Sequence, residues 1–243
     1  MPYREIFFEK NQPFHIVSRA VDGRKIFEQE EDCYRFIFLF QAANIGRRGS
    51  NARGKDIINA AQSLLQGEKI SSKFIIEEHP PLVYLLDYSL VLNHYHFYFL
   101  PNIENSVPLL MQKLNNGFAK YFNLKHDRKD ALFGSRYKSI LVKTEFQSDA
   151  VSRYVSIINP LDVFQPGWRE NGLGNWKEAF EFLGNYQFSS FPDKIGKRNA
   201  GILAPKEILE KYSFIGNPES REEYRKFVEE FLKQKSVLPF LLE

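Results

Sequence analysis

The run from Tyr88 to Leu100, YSLVLNHYHFYFL, constrains this chain most, because it is apolar at nearly every position yet holds two histidines. Together with Leu82–Leu86 just before it, it reads as a strand pair or one bent strand. Side chains alternate faces along a strand, so His94 and His96 share one face and Tyr95 points the other way. Two imidazoles inside so apolar a strand are costly to bury unless their nitrogens have partners. Two readings satisfy that need: a hydrogen-bonded pair of core histidines, or two ligands of one divalent metal.

The rest of the pattern alternates strands with helices. Phe14–Val21 is β-rich and ends at Asp22-Gly23, a turn signal. Glu28–Asn44 has Cys33, Phe36, Ile37 and Phe40 at helical spacing, and 56–66 reads as a short helix. Ser106 and Pro108 open a helix with Leu110, Leu114, Phe118 and Tyr121 on its apolar face. Ser139–Lys143 reads as a strand, and Ser148–Ile158 as a helix stopped before Pro160. This order predicts an α+β fold, a ferredoxin-like antiparallel sheet with helices on one face. Residues 1–165 are expected to form that domain, with 44–73 as a variable basic insertion. Residues 166–243, with a final helix at 219–233, are expected to be a mostly helical C-terminal extension packed on it.

Composition narrows the classes. A chain of 243 residues with 43% hydrophobic and 26% charged residues can build a proper core. The single cysteine, Cys33, excludes a disulfide framework and any Cys-rich zinc site, and suits a reducing cytoplasm. No apolar run reaches the ~18 residues of a membrane span, and Met1–Glu5 lacks the apolar stretch of a signal peptide. Net charge is only +3, but residues 113–143 carry eight Lys or Arg against Asp127 and Asp130. That imbalance suits a nucleic acid, and equally a solvated surface.

Several short segments, in a fixed order, carry a resemblance. They are Phe14–Ala20 (FHIVSRA) with Ile26-Phe27, Asn93–His96, Asn116–Asn123 (NGFAKYFN), Leu132–Ser139 (LFGSRYKS), and Arg153-Tyr154 with Asn159-Pro160. Over about residues 3–165 the chain resembles the REP-associated tyrosine transposases of the single-tyrosine HUH superfamily. The resemblance implies an HUH-type fold, Tyr154 as nucleophile, and a divalent ion, Mg²⁺ or Mn²⁺, held by His94, His96 and Asn159. Imidazoles alone would also accept Zn²⁺. It implies cleavage and joining of single-stranded DNA carrying a REP-like hairpin, through a 5′-phosphotyrosine link, by a cytoplasmic monomer or dimer. Arg19, Arg136 and Lys138 are candidate phosphate contacts, and Tyr137 could stack on a base. His15 and His126 are expected to be structural or solvent-facing, and His79 to lie in a loop.

Two departures stand out. Val91-Leu92 replace the Met-Pro usual in the family. Tyr154 and Pro160 lie six positions apart where five are usual, so only a π-bulge or an early helix end brings Asn159 back to the face of Tyr154. The competing reading is a hairpin DNA- or RNA-binding protein without cleavage activity.

Overall fold

The computed structural model describes residues 7–50, 52–212 and 218–233. The N-terminal stretch read above for a signal peptide lies outside them. In chain order the elements are β1 (Phe14–Arg19), a short 3₁₀ turn, α1 (Glu30–Ile45), β2 (Arg47–Arg48), α2 (Gly54–Leu65) and β3 (Ile75–Ile76). They continue with β4 (Val83–Val91), β5 (His94–Pro101), α3 (Ser106–Lys125), β6 (Lys138–Leu141) and α4 (Glu145–Arg153). A π-turn (Tyr154–Ile158) then leads into α5 (Asn159–Phe164), followed by α6 (Trp168–Asn171), α7 (Trp176–Asn185), α8 (Phe191–Lys194), α9 (Lys206–Tyr212) and α10 (Pro218–Lys233).

The main sheet has the order β4-β5-β1-β6 with every neighbouring pair antiparallel, which is the ferredoxin-like arrangement. The two long apolar stretches form a hairpin that turns at Leu92-Asn93, so the strand pair is correct and the bent strand is not. Asp87, which divides them in sequence, lies inside β4 beside a bulge at Leu86. The Asp22-Gly23 turn ends β1 as expected, with both residues at positive φ (54° and 63°).

α1 and α3 pack on one face of the sheet. Phe36 meets Phe118 edge-to-face at 5.1 Å and Tyr95 at 4.6 Å, and Phe40 meets Phe97 at 4.9 Å. Each fully buried phenylalanine contributes about 1.5–3 kcal/mol by burial, and the offset rings add specific geometry. Phe14, Phe97, Phe99 and Tyr88 all lie within the same aromatic-rich core.

The opposite face is covered too, by α4, the π-turn, α5 and the extension. Thr144 caps α4 by accepting from the Gln147 amide (3.2 Å), and Gln147 Oε1 accepts from the Lys143 amide (2.8 Å). The helical path does not stop before Pro160 but runs on to Phe164. The wide turn ahead of Pro160 explains this. It makes room where the proline ring would otherwise meet the carbonyl of the preceding turn. Tyr154, Ile157, Ile158 and Leu161 form one apolar cluster with Trp168, Leu183, Phe191 and Val228 of the extension. Beside it, Lys194 Nζ lies 3.0 Å from Asp87 Oδ1 with both side chains fully buried. Ser152 and Ser190 donate to the same carboxylate (2.7 and 2.6 Å), and Lys194 also donates to Ser152.

Candidate active site

Antiparallel register sets the polar face row by row. Arg19 stands opposite His94, Val17 opposite His96, and His15 opposite Tyr98. Across β1, Val17 pairs in turn with Lys138. Directly paired residues share a face, so Arg19, His15 and Lys138 all lie on the face that carries His94 and His96. Tyr95 points to the aromatic side, as alternation requires.

His96 is fully buried and His94 nearly so. Their rings sit 4.9 Å apart at 75°. His94 Nδ1 lies 2.6 Å from Asn93 Oδ1. A carboxamide oxygen only accepts, so Nδ1 carries the proton and Nε2 keeps its lone pair in the neutral ring. His96 Nδ1 shares a hydrogen bond of 3.0 Å with His15 Nε2, and the two rings stack at 11°. His96 Nε2 is buried without a hydrogen-bond partner among the described residues. Burial holds the His15 imidazole down at about 4. Burial, reinforced by the charges of His15, His94, Arg19 and Arg169, holds His96 well below its ordinary value. Both rings are therefore neutral near pH 7, the form in which imidazole ligates a metal. His15, expected to be structural or solvent-facing, is buried at the centre of this group.

Tyr154 reaches the same place from the helix above. Its ring stands edge-on to His96 at 5.5 Å and to His15 at 5.9 Å, with 1% exposure. The Asn159 amide donates to the Tyr154 carbonyl five residues back, closing the π-turn. That turn is the device the six-residue Tyr154–Pro160 spacing calls for. One guanidinium lies beside both side chains: Arg169 Nη2 donates to Asn159 Oδ1 (3.0 Å), and the same group stands 5.4 Å from the centre of the Tyr154 ring.

A divalent ion fits this donor set on two observations, the lone pair that Asn93 leaves on His94 Nε2 and the unpartnered Nε2 of His96. Among the described residues no group of three or more His, Cys, Asp or Glu side chains is arranged to hold a metal. An ion there would take these two imidazoles, with hard oxygens left to further ligands.

The basic stretch 113–143 is not one surface. Lys113 and Lys120 ride on α3, against the aromatic face, and Lys125 is tied to Asp32 (2.7 Å). Lys138 belongs to the histidine face, and Arg136 beside it is exposed. Tyr137 is half-buried, 6.4 Å from Phe8 and packed against the aromatic core. His79 lies in a loop as expected, and His126 packs at 4.2 Å on Phe122.

No protein-family model matches the chain, and no curated protein matches it. A solved structure is similar. It is a REP-associated tyrosine transposase bound to a REP hairpin, at 12% identity and a TM-score of 0.46, covering 84% of this chain and 92% of that one. Among the described residues no helix is long and apolar enough to cross a membrane.

Proposed function

We propose that this chain is a metal-dependent, single-tyrosine endonuclease and strand transferase acting on single-stranded DNA with hairpins. The observation that carries the reading is that Tyr154 stands on His96, the close neighbour of His94, at the head of a π-turn that ends at Asn159. The sequence resemblance supports the same roles for the same residues.

In this reading the Tyr154 hydroxyl oxygen attacks the scissile phosphorus. A phosphorus–Oη bond forms and the phosphorus–O3′ bond breaks. The phenol gives up its proton to water, and the departing 3′-oxygen takes one up, with no change of oxidation state. His94 and His96 would hold Mg²⁺ or Mn²⁺, which when bound supplies Lewis-acid polarisation of the phosphate. Asn159 would join that shell through Oδ1, which accepts from Arg169 Nη2 and keeps a second lone pair. Arg19, in the row of His94, would meet phosphate oxygens, with Arg136 and Lys138 as further cationic contacts.

The near-complete burial of Tyr154 and His96 favours a second reading, a hairpin-binding protein of DNA or RNA that does not cut. A labelled single-stranded hairpin oligonucleotide with Mn²⁺, run on a denaturing gel, separates the two. A covalent adduct that disappears in Tyr154→Phe, with hairpin affinity kept, supports the enzyme. Tight binding with no adduct from the unaltered chain supports the binding protein.

A further inference from the structure

Arg169 lies beyond the segment that carries the resemblance, in the four-residue helix α6 between Gly167 (φ 78°) and Gly172 (φ 74°). Its guanidinium nevertheless reaches the centre of the site. Nε and Nη2 grip Asp162 at 3.1 and 2.6 Å, and Nη2 also donates to Asn159 Oδ1. The same guanidinium stands 5.4 Å from the centre of the Tyr154 ring, a cation–π contact. Asp162 is itself held by Trp168 Nε1 (2.8 Å), so the anchor is built into the apolar cluster beneath the helix.

We propose that Arg169 is a positioning residue for Tyr154, one planar group, anchored on Asp162 and Asn159, that holds the Tyr154 ring and thereby aims its hydroxyl across the π-turn. The inference rests on the reading of Tyr154 as nucleophile. A π-turn is wider than an α-turn and leaves the residues on either side less tightly set by the backbone. An outside clamp that bonds the side chain at one end of the turn and packs on the ring at the other supplies the missing constraint. Only arginine suits the task, since a lysine ammonium is a point donor without a rigid fork. Burial pulls the Arg169 guanidinium pKa down, but hydrogen bonding and charge from Asp162 outweigh it, so the group stays fully cationic. Misplacement of a reacting atom by about 1 Å costs on the order of 10²-fold in rate.

The test uses the full chain with Arg169→Gln, Arg169→Lys and Asp162→Asn, each first confirmed folded by its thermal transition. Single-turnover adduct formation with the hairpin oligonucleotide and Mn²⁺ is followed against oligonucleotide concentration. Arg169→Gln should lower the maximal rate about 10²-fold with half-saturation nearly unchanged. Arg169→Lys should keep the fold without restoring the rate, and Asp162→Asn should fall between. A raised half-saturation with an unchanged maximal rate would make Arg169 a DNA contact and overturn the proposal. A second readout needs neither DNA nor metal. In protein labelled with ¹³C-tyrosine, the Tyr154 signal, assigned by its loss in Tyr154→Phe, should shift and broaden in Arg169→Gln and in Arg169→Lys. An unchanged signal overturns the clamp. An unaltered chain that forms no adduct, yet shows the shifted signal, overturns the nuclease reading and leaves the clamp standing.

Discussion

The two faces of the sheet are built on opposite principles. Toward α1 and α3 it presents Tyr95, Phe97 and Phe99 against Phe36, Phe40 and Phe118, a dry aromatic layer with little need for hydrogen bonds. Toward α4 and the extension it presents His94, His96, His15 and Asp87, all buried, in rings and networks that must be satisfied one by one. The same strands serve both, because alternation separates the two sets residue by residue. An apolar face tolerates approximate packing, whereas a buried polar face is held only by specific partners. A face of the second kind can hold reactive groups in fixed geometry.

The largest test of this contrast concerns Asp87 and Lys194. Lys194→Met strands a buried carboxylate and should cost about 3–5 kcal/mol, while adding Asp87→Leu should recover most of it. On the aromatic face Phe97→Ala should cost a similar ~3–5 kcal/mol through its cavity, with no single compensating partner. Chemical denaturation of these three variants and the unaltered chain measures both. A Lys194→Met loss below about 1 kcal/mol would erase the distinction.

The next effect depends on pH. His15 binds its proton at about 4 in the folded chain and near 6.5 when unfolded. Between those values only the unfolded chain is protonated, so stability falls as pH drops through that window and levels off below it. The contribution of His15 is roughly 3 kcal/mol, and His96 acts in the same direction. Denaturation midpoints at about pH 7, 5.5 and 4.5 should show a shallower fall for His15→Gln, and an unaltered slope for Phe97→Ala.

The smallest effect lies at the rim. Arg136→Ala with Lys138→Ala should weaken hairpin binding and flatten its salt dependence by roughly 0.7 for each phosphate no longer neutralised. Lys120→Ala, on the helix over the aromatic face, should leave that slope alone. Equal changes from both substitutions would mean that DNA does not distinguish the faces.

Much of this architecture is legible in the sequence. The order of strands and helices follows from periodicity, and the His94–Tyr95–His96 alternation follows from strand geometry. Set against the resemblance, the spacing of Tyr154, Asn159 and Pro160 calls for a π-bulge or an early helix end, and the helix takes the first. The place of His15 in the site is easily overlooked although its signal is present: it lies four residues before Arg19 on one strand, so both must face the same way. Arg169, Asp162 and the Asp87–Lys194 pair leave no local trace. They meet through packing of the extension on the sheet, a long-range matter that neither propensity nor periodicity encodes. The basic stretch misleads for the converse reason, since neighbours in the chain are sent to opposite sides of the sheet.

The π-turn at Tyr154–Ile158 also bears on how such a chain tolerates change in length. An added residue in an ordinary α-helix rotates everything after it by about 100°, which would carry Asn159, Asp162 and the whole extension off the site. Counted against the spacing of the family it resembles, the one added residue falls within this single wide turn. The helix behaves as a splice that takes up slack, so a site of this kind can survive an insertion at its centre while a fixed-spacing search pattern passes over it.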